Sequence, residues 1–375
     1  MKKRKIKLKK PFDTITKILN GILVVILIIF IVYSVLVSKL RSIGYSKAAA
    51  HNIITKFKIS YVQDYPNNKT LNAAFESADY LEKNLDNYAK IVYKEDKNLI
   101  SNINLLIKKG YSNRDISMIL NHGDSADVVE FAKKDKVKYL EEFYTYDYAK
   151  LKNYDRYLNY MNEMGDDEET TIIKVNLDLD KENYTEPVQV SDYSKYVLAN
   201  KHHYLGKDYV PKKLVKIPSE YTMVNETIKG TNEAVSRAII MIKDARKAGL
   251  NLLINSGYRS YEDQEDTYNT YKNLYGEDYC VKYVSLPGYS EHQTGYSFDF
   301  ASGTSNIFAS SPEYQWMIKN SYKYGFIYRY LKSKEEITGI KHEAWHFRYV
   351  GKKAAKVIDE EELSFEEYYA KYLDK

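Results

Sequence analysis

Two short stretches hold most of the residues that could do chemistry in this chain. SEHQTGYSFDF, from Ser290 to Phe300, carries His292 and Asp299, and HEAWHFRYVG, from His342 to Gly351, carries Glu343 and His346. Imidazole and carboxylate are both good zinc ligands. His292 and Asp299 offer two, and His346 offers a third. Three protein ligands with a fourth position open to water make a catalytic metal centre rather than a structural one. A nearby carboxylate that is not a ligand can take a proton from that water and return it to a leaving amine. Glu343 fits that part. Either pair alone is a weak signal, because a histidine bonded to a neighbouring carboxylate, or a surface glutamate, reads the same way. Upstream, SGYRS holds Arg259, whose guanidinium can pair with a terminal carboxylate or with a developing oxyanion. A salt bridge from Arg259 to Glu262 or Asp263 is the competing reading.

These side chains meet only if the backbone does specific things. Gly295 permits a tight turn after His292. Tyr296 to Phe300 then alternates like a strand, with Tyr296, Phe298 and Phe300 toward a core and Ser297 and Asp299 on the other face. His346 heads a β-prone run from Phe347 to Val350. Glu343 lies three residues earlier, so on an ideal strand the two would point opposite ways, and a bend or bulge is expected there. Thr231 reads as the cap of a helix bearing Ala234, Val235, Ala238, Ile239, Met241, Ile242 and Ala245, with Gly249 as its stop. LNLLI is a short buried strand, and Ser260 caps a further helix that places Gln264 one turn in, near Arg259.

The 375 residues, 44% hydrophobic, suffice for two or three compact units. A net charge of +5 is unevenly spread. Residues 1–17 hold eight Lys/Arg against Asp13, Lys39 and Arg41 add two more, and residues 42–375 are left mildly acidic, which argues against a nucleic-acid partner. ILNGILVVILIIFIVYSVLV, Ile18 to Val37, has no charge and reaches roughly 30 Å as a helix, the thickness of a bilayer core. With its basic flank it reads as an anchor at 18–38 behind a cytoplasmic tail at 1–17, everything later lying outside. A cleaved signal peptide is the alternative, against which stand the length of the run and the poor cleavage site at Val37-Ser38-Lys39. The single Cys280 excludes an intrachain disulfide and reads as a packed side chain.

Gly44-Tyr45-Ser46 recurs 66 residues later as Gly110-Tyr111-Ser112, with Asn87-Tyr88 and Asn153-Tyr154 at the same offset. Ser46 and Ser112 are expected N-caps of a duplicated helical pattern over 42–164, either a spacer or simply helical packing without a ligand. MGDDEETT opens an expected linker at 165–194, within which TIIKVNLDLD alternates like a strand. His342 could tune Glu343, while His202, His203, His51 and His122 read as structural or surface residues.

Residues of about 195–352 resemble the zinc D-alanyl-D-alanine carboxypeptidases of the VanY type. The likeness rests on SGYRS with Gln264 five residues after Arg259, on SEHQTG with Asp299, and on EAWHFRYVG, where Ala344 replaces the family's usual proline and could hold Glu343 less firmly. The resemblance implies zinc on His292, Asp299 and His346, Glu343 as general base, and Arg259, Gln264 and Ser290 against the substrate. It implies an α+β fold, an antiparallel-sheet peptidase domain over 195–375. The expected activity removes terminal D-alanine from peptidoglycan stem peptides or their lipid-linked precursors at the outer face of the membrane. An L,D-carboxypeptidase, a wall endopeptidase and a non-catalytic wall-binding protein remain alternatives.

Overall fold

The computed structural model describes residues 10–374, with side chains from Thr14 onward. The first nine residues of the expected tail lie outside the described residues. The chain divides into two compact units, Met1–Thr145 with Lys150–Lys152, and Tyr146–Ala149 with Asn153–Lys375.

The first unit is helical. Helix α1, Lys10–Ser42, contains a stretch, Thr14–Ser42, that is long and apolar enough to cross a membrane, with an 18-residue window of mean hydropathy 3.0 inside it. It ends where Gly44 takes a left-handed φ of +96°, a conformation that side chains with a Cβ disfavour. Tyr45 N–H then donates back to Leu40 O at 3.2 Å, and Ser46 caps the next helix, Lys47–Thr55, by accepting from Ala49 N–H. The second copy does the same. Gly110 has φ +84°, Tyr111 N–H donates to Leu106 O at 3.2 Å, and Ser112 caps Asn113–His122 with a full capping box to Asp115. The remainder of the echo is three residues out of step with the sequence pattern. Asn84, rather than Asn87, is the structural counterpart of Asn153. Asn84 and Tyr88 both donate to Asn104 Oδ1, at 2.7 and 2.6 Å, and Asn104 donates on to Asp79 O. Asn153 and Tyr157 both donate to Asn176 Oδ1, at 2.9 and 2.6 Å, and Asn176 donates on to Tyr148 O.

The strand reading of TIIKVNLDLD is corrected by helix Glu168–Asn176. Asp167 caps it through Thr170 N–H, and Thr171, Ile172, Ile173 and Val175 are all buried, so the side chains are taken up around the helix rather than on alternate faces. Burial on several sides overrides the β-branched run's local preference.

The second unit is α+β. Its main sheet has strands β1 (Leu252–Ser256), β2 (Ser297–Ser302), β3 (Phe326–Tyr330) and β4 (Glu343–Tyr349) in the order β1-β2-β4-β3, every pairing antiparallel. Helix α2, Asn232–Lys247, lays Ala234, Val235, Ala238, Met241, Ile242 and Ala245 on one face of it, against Leu252, Ile254, Phe298, Phe300 and Phe347. Burying Phe298 and Phe300 contributes roughly 2–3 kcal/mol each. Thr231 stands at the cap of α2, but its hydroxyl makes no capping bond. The opposite face of β2 is thereby left to polar groups. Helices α3 (Tyr261–Tyr275) and α4 (Glu277–Tyr283) follow β1, and α5 (Lys352–Glu360) follows β4 and joins a second core with Ile327, Val350 and Phe365.

Candidate active site

Strand alternation and register assemble the site. With Phe298 and Phe300 committed to the core, Asp299 points the other way, and the β2–β4 register sets it directly opposite His346. His292 sits in the 3-10 turn Glu291–Thr294 that leads into β2, which Gly295 closes at φ +69°. The expected irregularity before His346 is present. Tyr328 pairs with Phe347 but Tyr330 with Glu343, so β4 carries extra residues over this span, and Glu343 turns onto the same side as His346.

The result is one cavity of about 390 Å³ lined by all seven expected residues, Arg259, Gln264, Ser290, His292, Asp299, Glu343 and His346. His292 Nε2 lies 3.4 Å from Asp299 Oδ2, and His346 Nδ1 lies 3.1 Å from Asp299 Oδ1. The other nitrogen of each ring is engaged from behind: His292 Nδ1 with Gly257 O at 2.7 Å, and His346 Nε2 with Glu291 Oε2 at 3.3 Å. Both imidazoles therefore turn a single nitrogen toward Asp299, and their ligand atoms and the carboxylate oxygen lie within 4.8 Å of one another. Among the described residues this is the only such cluster of three or more, and His202 and His203 form none.

Electrostatics ask for a cation here. Asp299 Oδ1 is buried and too poorly aligned with His346 to make a hydrogen bond. Burial alone would lower the His346 pKa, but the Asp299 and Glu291 carboxylates outweigh it and hold the ring up to about 9. Burial would raise Asp299, yet the two histidines hold it well below the usual carboxylate range. A pocket that gathers positive charge onto an imidazole between two carboxylates, with its lone pairs convergent, fits a divalent metal by donor chemistry. Glu343 stands apart from this set, its Oε2 3.6 Å from His346 Nδ1, and burial pushes its carboxyl up to about 7. That is the range a proton acceptor needs at neutral pH.

Arg259 is not spent on Glu262 or Asp263. Asp263 completes the capping box of Ser260, Glu262 approaches Lys207, and Arg259 donates to Gln264 Oε1 at 2.9 Å with Asp299 Oδ2 3.8 Å away. Gln264 in turn donates to Ser285 O, so its amide braces the guanidinium from α3. His342 neighbours the Tyr328 hydroxyl, and Cys280 is buried on the inner face of α4, packed with Tyr268 and Val284.

Glu291, inside the SEHQTG stretch, is a site residue that its sequence setting does not reveal. Glu291 is wholly buried, and Arg329 and Arg348 hold its carboxyl well below the usual range despite that burial. Arg329 Nε donates to Glu291 at 2.8 Å while its two other nitrogens grip Glu366 at 2.8 and 2.5 Å. Arg348 Nη1 lies 3.4 Å from Glu291, and its Nη2 donates to Val197 O. No local pattern announces these partners, which lie 38 to 75 residues further along the chain.

The family described as VanY, D-alanyl-D-alanine carboxypeptidase, matches residues 227–352, which include all seven residues. YodJ of Bacillus subtilis (strain 168) is 41% identical over 181 residues, 46% of this chain and 66% of that protein. The chain thus spans just under two thirds of that relative's length. The bifunctional D-Ala-D-Ala dipeptidase and D-Ala-D-Ala carboxypeptidase VanXYC of Enterococcus gallinarum is 33% identical over 181 residues, 46% of this chain and 92% of that protein. A solved VanY D,D-pentapeptidase from a VanB-type resistance cassette, in complex with Zn(II), is 29% identical at a TM-score of 0.41, covering 47% of this chain and 99% of that one.

Proposed function

The chain belongs to the VanY family of D-alanyl-D-alanine carboxypeptidases, and from that premise we propose that it is a membrane-anchored zinc enzyme trimming the terminal D-alanine from peptidoglycan stem peptides. One observation carries the reading: three convergent ligand atoms on His292, Asp299 and His346 share a cavity with an unliganded Glu343 and with Arg259. Zinc held by those three residues would supply a Lewis acid that polarises the scissile carbonyl and makes a water acidic enough to lose its proton near neutral pH. Glu343 Oε2 accepts that proton and delivers it to the departing amine of D-alanine. Arg259, held by Gln264, offers guanidinium hydrogens to the substrate's carboxylate or to the oxyanion. Ser290, buried at the lip of the turn bearing His292, lines the same wall and offers a hydroxyl to the peptide.

Helix α1 supports the anchoring part of the proposal. The tail at 1–17 stays in the cytoplasm, residues 42–164 act as a helical spacer, and the peptidase works outside on wall peptides or lipid-linked precursors. The test uses the full chain in detergent with a stem pentapeptide ending in D-Ala-D-Ala. About one zinc per chain and D-alanine release that a chelator abolishes are expected. A zinc-loaded chain that spares the pentapeptide but cuts a tetrapeptide or a cross-linked dimer would reassign the bond. Folded protein that neither binds zinc nor releases D-alanine would sink the enzyme reading in favour of a wall-binding protein.

A further inference from the structure

The catalytic cavity, about 390 Å³, encloses only a small ligand. A five-residue stem still attached to its sugar is larger, so much of it must rest on the surface around the mouth. On one side that surface is aromatic. Tyr271, Tyr279 and Tyr283 line the cavity, and Tyr275 extends the same face outward. Tyr279 stands between Tyr275 and Tyr283 with ring centroids 4.7 Å from each, and Tyr271 and Tyr279 are parallel to within 1° at 6.1 Å. Tyr275 is 59% exposed and the adjoining Leu274 67%.

Packing does not demand this arrangement. The small core of α3 and α4 is closed by Tyr268, Cys280 and Val284 with only Tyr279 of the four packed against it, leaving Tyr271, Tyr275 and Tyr283 38%, 59% and 41% exposed. Nor does the face advertise an ionic ligand, because Lys272 and Glu277 beside it pair with each other. Broad, neutral aromatic faces continuous with a peptide cleft suit a pyranose ring. Its axial C–H bonds meet the electron-rich face of an aromatic ring, while its hydroxyls stay hydrated at the rim.

We propose that the tyrosine face formed by α3 and α4 is a saccharide subsite, holding the sugar that carries the stem peptide while the peptide's end lies among His292, Asp299 and His346. The inference deepens the peptidase reading and rests on it. Its test compares two substrates with the same peptide, a free stem pentapeptide and that pentapeptide on its disaccharide, using the full chain in detergent. The disaccharide form is expected to show a kcat/KM about tenfold higher, the scale of one or two good ring contacts. Tyr275→Ala, an exposed change to a good helix former, should bring the two substrates within about a factor of two, and Tyr275→Trp should restore the preference. Equal rates on both substrates in the unaltered chain, or an equal loss on both in Tyr275→Ala, would overturn the subsite. If neither substrate is cleaved, the peptidase reading fails separately. Calorimetric titration of both compounds into the Glu343→Gln chain then decides the subsite: an affinity gain from the sugar that Tyr275→Ala removes upholds it, and no gain refutes it.

Discussion

Buried polar groups are handled in opposite ways by the helical unit and by the sheet that carries the site. In the helical unit they are neutral and close upon themselves: Asn84, Tyr88 and Asn104 satisfy one another and a backbone carbonyl, and Thr70 donates to Ile91 O. Around β2 and β4 they are charged. One set, Glu291, Arg329, Glu366 and Arg348, comes close to balance, two acids against two bases with no side-chain exposure. The other set, His292, Asp299, His346 and Glu343, does not close. A closed network fixes geometry and asks nothing more, whereas an open one holds its lone pairs for something that arrives from outside. The amide triad of Asn153, Tyr157 and Asn176 closes in the second unit too, so the distinction follows the task of each cluster rather than its address.

Substitutions can break this contrast. The largest effect is expected at the open cluster, where Glu343→Gln should cut D-alanine release by about 10³-fold. Zinc content measured on the same protein should stay near one per chain, and its loss would mean that Glu343 is a ligand. In the balanced set, Glu366→Ala leaves Arg329 with a buried, half-paired guanidinium and should destabilise the second unit by about 3–5 kcal/mol in a denaturant titration. No change in midpoint would show that the bidentate pair is not holding the fold. Glu291→Gln stands between the two sets. Removing the carboxylate behind His346 should weaken zinc about 10–100-fold in a chelator competition, and unchanged affinity would disconnect the sets. The closed network should respond more quietly. Asn104→Ala strands the Asn84 amide and should cost about 1–3 kcal/mol, read as a lowered midpoint of the helical unit, with D-alanine release unaltered. Smallest of all, Ser46→Ala and Ser112→Ala should each cost about 1 kcal/mol, and a marked difference between them would break the likeness of the two copies.

Much of the site was legible because local rules fix it. The alternation of Phe298, Asp299 and Phe300 sends the carboxylate away from the core, Ser260 announces its helix, and the spacing of Glu343 and His346 demanded the irregularity that the β3–β4 register shows. What stayed hidden depends on partners far along the chain. No periodicity pairs Asp299 with His346, and none couples Glu291 to Arg329 and Glu366. The helix at Glu168–Asn176 was read as a strand because its β-branched residues carry a period-two pattern, and only burial around its axis reverses that preference. The Asn84–Asn153 correspondence was missed by three positions because the echo was aligned on Gly44 and Gly110, and the intervening turns differ in length.

Glu366 lies beyond residue 352, where the family match stops, and the carbonyl that receives Arg348, on Val197, lies well before residue 227, where it begins. A graft of the matched segment onto another carrier would carry every reacting group yet leave both arginines short of partners. Arg329 could then claim Glu291 for itself and draw it from His346. The stretch that heredity keeps recognisable is shorter than the stretch that has to travel together.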